Sequence, residues 1–155
     1  MNTAFRIQIK PFSGLSADEL YTLLKLRTDI FVVEQNCAYA ELDDYDQECL
    51  HVLAYEGETL VAYARVVPPG AVYKQASIGR VAVHKAYRAK GYGRLLFKAA
   101  LTETKKVHPN QVVKIQAQTY LEAFYQSFGF KTISEPYPDF GIWHVDMVLE
   151  KELKA

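Results

Sequence analysis

Apolar and polar positions divide the chain into short strands and amphipathic helices. Phe5 to Lys10 alternates apolar and polar residues, which predicts a strand. Ser16 and Glu19 form a Ser-x-x-Glu capping box with Asp18 in the first turn, and Leu20, Leu23, Leu24 and Phe31 follow at helical spacing. A helix is predicted over 17–32. The stretch from Glu34 to Glu48 is polar, acidic and without period, and reads as a loop. Leu50 to Tyr55 and Leu60 to Val67 are two apolar runs joined by Glu-Gly-Glu-Thr, a hairpin signal, and Pro68-Pro69-Gly70 ends the second run.

Ser77 to Val83 is a further strand, interrupted by Gly79 as at a bulge. After Gly91 a helix places Leu95, Leu96, Ala99, Ala100 and Val107 on one face. Val112 to Gln118 alternates cleanly. Leu121, Phe124, Tyr125 and Phe128 obey helical spacing, with Gly129 as a C-terminal cap. Phe130 to Ile133 is strand-like, and Ile142 to Glu150 alternates with Trp143, Val145, Met147 and Leu149 facing one way. The order is β-α-β-β-β-α-β-α-β-β. It defines one α/β (α+β) domain over 1–155, a mixed, mostly antiparallel sheet flanked by helices.

Composition narrows the classes. The formal net charge is zero, so no global field favours nucleic acid or a membrane surface. No apolar run approaches the roughly 18 residues of a membrane span, and the N-terminal residues do not read as a secretion signal. Cys37 and Cys49 lack metal-site spacing and read as reduced thiols of a cytoplasmic protein. Charge is uneven locally. Lys85, Arg88, Lys90, Arg94, Lys98, Lys105 and Lys106 crowd one segment; Glu41, Asp43, Asp44, Asp46 and Glu48 crowd another that carries no base.

The basic segment carries the clearest chemistry. Val81-Ala82-Val83 runs into Arg88-Ala89-Lys90-Gly91-Tyr92-Gly93-Arg94, and a helix opens there. Unpaired N–H groups at a helix start attract an anion, and glycines let the backbone approach it. The spacing is not the dinucleotide fingerprint, because Leu96 stands where its third glycine belongs, and no Gly-Lys-Ser/Thr of a Walker loop is present. It fits Arg-x-x-Gly-x-Gly.

That pattern resembles the coenzyme A site of the GNAT acyltransferase superfamily. Tyr125-Gln-Ser-Phe-Gly-Phe130 is similar to the superfamily's downstream Tyr-x-x-x-Gly-Phe. Phe31-Val-Val-Glu-Gln-Asn-Cys37, then Tyr39, Glu41, Asp43 and His51, and the ending Gly141-Ile-Trp-His-Val-Asp-Met147 resemble its ElaA-like branch. Lys85 replaces a frequent proline, Gln118 stands where many members have asparagine, and Trp143 stands where the branch has proline.

The resemblance implies an acetyl-CoA-dependent N-acetyltransferase acting by direct transfer in a ternary complex. It implies that main-chain N–H groups of Arg88, Ala89, Lys90, Gly91, Tyr92, Gly93 and Arg94 hold the pyrophosphate. The strand Val81, Ala82, Val83 would present main-chain groups to the pantetheine arm as to an added strand, and Gln118 would contact the cofactor. An N–H near Val81 would polarise the thioester carbonyl. Tyr125 would protonate the departing thiolate.

The acceptor reads only as a small-molecule or peptide amine. Its base is open among Glu34, Glu41, Asp43, His51 and His144, with the 34–46 acids favoured and with Glu34, Glu41, Asp43 and His144 as acceptor contacts. The acidic loop suits a cationic acceptor. A non-catalytic acyl-CoA-binding or sensing module, an ATP site on the same loop, and a homodimer all remain compatible with the sequence.

Overall fold

The computed structural model describes residues 4–151, so the ends of the domain expected over 1–155 lie outside the described residues. The elements are β1 (Phe5–Pro11), α1 (Ala17–Thr28), β2 (Leu50–Glu56), β3 (Thr59–Val67), β4 (Ser77–Val83), α2 (Tyr92–Val107), β5 (Val113–Gln118), α3 (Glu122–Gln126), β6 (Lys131–Thr132), β7 (Tyr137–Asp139) and β8 (Ile142–Leu149). This is a mixed α/β fold with antiparallel sheets flanked by helices.

The capping box forms as its spacing demands. Ser16 accepts from the Glu19 N–H and Glu19 accepts from the Ser16 N–H. Past Thr28 the chain does not stop but widens into a π-helical turn, Asp29–Glu34, which carries the helical path to Glu34, beyond the predicted end at 32.

Strands β1-β2-β3-β4 form one antiparallel sheet; β5-β8-β6 form another, with β7 also on β8. β2 and β3 are buried on both faces. Val52, Ala54, Ala62 and Ala64 join the cluster under α2, while Leu53, Tyr55, Leu60 and Tyr63 join the one under α1. Burial on both sides explains why their sequences run apolar without alternating.

The α2 face differs from the predicted one. Leu95 and Val107 are exposed, and the buried stripe is Leu96, Phe97, Ala100, Leu101 and Thr104. Phe97 is its hub, with the rings of Tyr125, Phe128, Phe130 and Phe124 at 4.9–6.2 Å in edge-on contact. On β8, Val145 and Met147 are buried as expected, but Trp143 is exposed at the strand's start, opposite Pro138. β7 is too short and too proline-bound to show a period.

An isolated bridge joins the two sheets. Ala76, just before β4, bridges Val113 in parallel, and the Lys114 N–H donates to the Ala76 carbonyl at 2.8 Å. Beyond it β4 is paired only with β3. Gly79 pairs with Arg65 and Ala82 with Tyr63, so Arg80 and Val81 together oppose Ala64. The bulge that Gly79 suggested is there, with Arg80 at φ 54°. Its extra residue bends β4 away and opens a wedge between the sheets.

Candidate active site

The wedge is a cleft of about 580 Å³, walled by β4 and the start of α2 on one side, β5 and α3 on another, and the π-helical turn and the β7–β8 hairpin at the far end. Alternation along β4 decides which main-chain groups face it. The His84 N–H donates to the Val61 carbonyl, so His84 and Ala82 face β3. Val83 and Val81 therefore turn their main-chain groups to the open side, and all three of Val81, Ala82 and Val83 line the cleft.

At the start of α2, Gly91 sits in the left-handed region at φ 81° with no atom within 4 Å of where a Cβ would stand. No side chain caps this helix. The first-turn N–H groups are thus open to an anion at the positive end of a sixteen-residue helix. A Cβ on Gly93 would stand 3.4 Å from the Val83 methyl. This is a main-chain cradle of the kind a pyrophosphate needs, and the residues fit coenzyme A.

The basic side chains are engaged elsewhere. Arg88 donates from Nε to the Val83 carbonyl at 3.0 Å and grips Glu34 with both terminal nitrogens at 2.8 and 3.0 Å. Arg94 donates to Ser127 at 3.0 Å and lies over Phe124 and Phe128. Tyr92 stacks on Phe5 and donates to Glu56, so its contribution to the cleft is chiefly main-chain. Ala89 lines the cleft at φ 66°; Lys90 does not line it and lies 3.9 Å from Glu56. Gln118 lines it and exchanges side-chain hydrogen bonds with Gln35, donating at 3.3 Å and accepting at 3.4 Å. Tyr125 is buried in the cleft wall, and its hydroxyl makes no hydrogen bond to another described residue. Burial pushes that phenol above its ordinary range, so it holds its proton at neutral pH.

The predicted acceptor residues separate into two groups. Glu34 and His144 line the cleft; Glu41 and Asp43 do not. The Arg88 guanidinium holds the Glu34 carboxyl below its usual range, even against partial burial. His144 donates from Nδ1 to the Ile142 carbonyl at 2.7 Å, because a carbonyl can only accept. That fixes the tautomer and leaves Nε2 as a basic nitrogen. His51 is fully buried outside the cleft. Its Nε2–H donates to the Asp46 carbonyl at 2.9 Å and its Nδ1 accepts from the Tyr63 hydroxyl at 2.6 Å.

Three of the loop's five acids, Glu41, Asp43 and Asp46, belong to a closed ionic network, while Asp44 and Glu48 are exposed. Arg27, fully buried, donates to Glu41 at 2.6 Å and Asp46 at 2.7 Å. Arg65 grips Asp43 at 2.6 and 2.9 Å and reaches Asp46 at 2.9 Å. Arg80 closes the ring on Glu41 and Asp43. The loop's missing bases come from α1, β3 and β4. Sequence reading missed Arg80; the signal was a single charge after a glycine in the otherwise apolar β4.

Burial alone would raise the Asp43 carboxyl, but Arg65 and Arg80 win and hold it at about 2, against an ordinary 3.8. A depressed carboxylate stabilises the fold above its unfolded-state value. That contribution is lost as pH falls from about 4 through about 2. Asp43→Asn is expected to flatten the acid limb of an unfolding curve across that window, and an unchanged limb would refute the assignment.

The opened β4 edge, the uncapped glycine start of α2 and the buried Tyr125 phenol line one cleft, and the fold is that of an acyl-CoA-dependent acyltransferase. The "Acetyltransferase (GNAT) domain" family matches residues 21–151. The chain belongs to the GNAT acyltransferase superfamily. Within it the chain stands in the ElaA-like branch. Protein ElaA of Escherichia coli is 40% identical over 140 residues, covering 89% of this chain and 92% of ElaA. The crystal structure of that protein superposes with a TM-score of 0.89 at 38% identity, over 95% of this chain and 100% of its own. An acyl-CoA N-acyltransferase from Pseudomonas aeruginosa gives 0.89 at 35% identity, over 94% and 99%.

Proposed function

We propose that the chain, working as a single cytoplasmic domain, transfers an acetyl group from acetyl-CoA to the primary amine of a small-molecule or peptide acceptor. Transfer is direct, in a ternary complex. The observation that carries this reading is the one cleft in which the main-chain cradle of α2, the free edge of β4 and the Tyr125 hydroxyl meet. Acetyl-CoA supplies the activated thioester when bound.

The chain's own residues do the rest. Main-chain N–H groups from Arg88 to Arg94, in the turn before α2 and its first residues, hold the pyrophosphate. Val81 and Val83 bind the pantetheine arm through the open edge of β4, and the Val81 N–H polarises the acyl carbonyl. Gln118, at the end of β5, supports the arm from the opposite wall. Tyr125 gives its proton to the departing sulfur. His144 Nε2 takes the amine's proton, directly or through water; its fixed tautomer favours it over Glu34, whose carboxylate is held by Arg88. Cys37 is not needed as a nucleophile, and its thiol donates to the Phe140 carbonyl.

Gly93→Val tests the donor half. The branched side chain would fill the groove against Val83, where a Cβ already makes close contact. Acetyl-CoA affinity measured by calorimetry is expected to fall at least about tenfold, roughly 1.4 kcal/mol, with the thermal midpoint nearly unchanged. Undiminished affinity would place the pyrophosphate elsewhere.

A further inference from the structure

We propose that the acceptor end of the cleft is built for a small amino carboxylate, and that Arg80 binds its carboxylate. The inference rests on the acetyl-transfer reading and names the acceptor class for that same site. It replaces the cationic acceptor that the acidic loop suggests from sequence alone.

Arg80 occupies the bulge of β4 at φ 54°, a conformation that costs a non-glycine residue free energy and that clusters at functional sites. Bulges re-aim side chains, and this one turns a guanidinium into the cleft directly before Val81. The network fixes the guanidinium from behind. Nε donates to the Glu41 carboxylate at 2.9 Å; Nη2 reaches the Glu41 carbonyl at 3.3 Å and Asp43 at 3.2 Å. The Tyr39 ring lies 5.7 Å away. Nη1 has no partner among the described residues, so one edge of the fork keeps a donor to spare.

Charge placement selects an anion. Glu41, Asp43 and Asp46 are matched in number by Arg27, Arg65 and Arg80, so the network as a whole is neutral and presents no excess of carboxylate behind Arg80. Of the network's six charged members, only Arg80 lines the cleft. The other carboxylates on the cleft wall, Glu34 and Asp139, are bonded to Arg88 and Gln116. An approaching acceptor therefore meets a positioned guanidinium, a Glu34 already paired with Arg88, and one carboxylate, Asp139, held by a neutral amide. A carboxylate on Nη1 gains a charge-assisted hydrogen bond in a partly enclosed site. Because Arg80 and Val81 are consecutive, an amine borne next to that carboxylate lies along the β4 edge proposed to hold the thioester.

The test uses wild-type protein with acetyl-CoA and two matched sets, the L-amino acids and their carboxamides. The best amino acid is expected to exceed its amide in kcat/KM by at least about tenfold. Arg80→Gln is expected to bring that ratio within about threefold while leaving acetyl-CoA affinity unchanged, and Arg80→Lys to retain part of it. A ratio taken within one protein does not depend on its folded fraction, so a destabilised variant still reports. Amides as good as acids, or a ratio unmoved by Arg80→Gln, would overturn the inference. So would a protein that binds acetyl-CoA and acetylates neither set but acetylates other amines. Absence of acetyl-CoA binding would instead overturn the underlying reading.

Discussion

Replacing Tyr125 by phenylalanine is expected to lower kcat at least about a hundredfold, the lower range for losing a positioned general acid. Acetyl-CoA affinity should stay within about twofold. The substitution is well suited to isolate the proton. Tyr125 is buried at 6% exposure, with the rings of Phe97 and Phe124 at 5.0 and 5.1 Å, and phenylalanine preserves those contacts. Its hydroxyl serves no internal hydrogen bond among the described residues, so removing it orphans no protein group and stability should barely change. The buried phenol also titrates above its ordinary range. A basic limb in the pH–rate profile below about pH 10 therefore belongs to another group. If Tyr125→Phe turns over like wild type, the proton comes from elsewhere.

The largest effect on stability is expected at Arg27. Arg27→Ala should cost about 3–5 kcal/mol, the range for removing one partner of a buried ion pair. That is a large share of the 5–15 kcal/mol typical of a domain's total stability. The Arg27 side chain is fully buried, and its loss leaves Glu41 to Arg80 alone and Asp46 to Arg65 alone, both carboxylates being nearly as buried. Arg27→Lys should recover little, because one ammonium cannot span Glu41 and Asp46 as the planar fork does. Denaturant unfolding measures both. The same network seats the 37–49 loop and Arg80 at the acceptor end, so the acceptor KM of a folded Arg27 variant should rise while acetyl-CoA affinity holds. A loss under about 1 kcal/mol would mean that the network is not what fixes the loop.

Local chemistry was legible in the sequence wherever neighbours in the chain decide the outcome. The Ser16–Glu19 capping box, the limits of β4, the Gly79 bulge and the glycine start of α2 all depend on residues within a few positions. They stand as read. The Arg27–Glu41, Asp43–Arg65 and Glu41–Arg80 pairs join residues 14, 22 and 39 apart, and no period announces such pairing. A count of five acids and no base in one segment therefore reads as a loop suited to a cationic acceptor, when the bases that match three of them lie on other elements. Phe97 was passed over for Leu95 because both fit an apolar helical stripe, and only the packing of α3 distinguishes them. Within the candidate site, the donor half lay in contiguous motifs. The proposed acceptor half joins Arg80, His144 and the β7–β8 hairpin, distant in sequence and brought to one cleft only by the fold.

The account turns on acyl transfer rather than on binding alone. The most direct measurement follows free thiol and acetylated product together when acetyl-CoA is mixed with a broad set of amines, including amino acids, polyamines and peptides. Thiol release is expected to be matched by an equal amount of N-acetylated amine, by mass spectrometry, and to be strongly reduced in Tyr125→Phe. Tight acetyl-CoA binding with no amine acetylated across the set would contradict it and mark the cleft as a binding or sensing site.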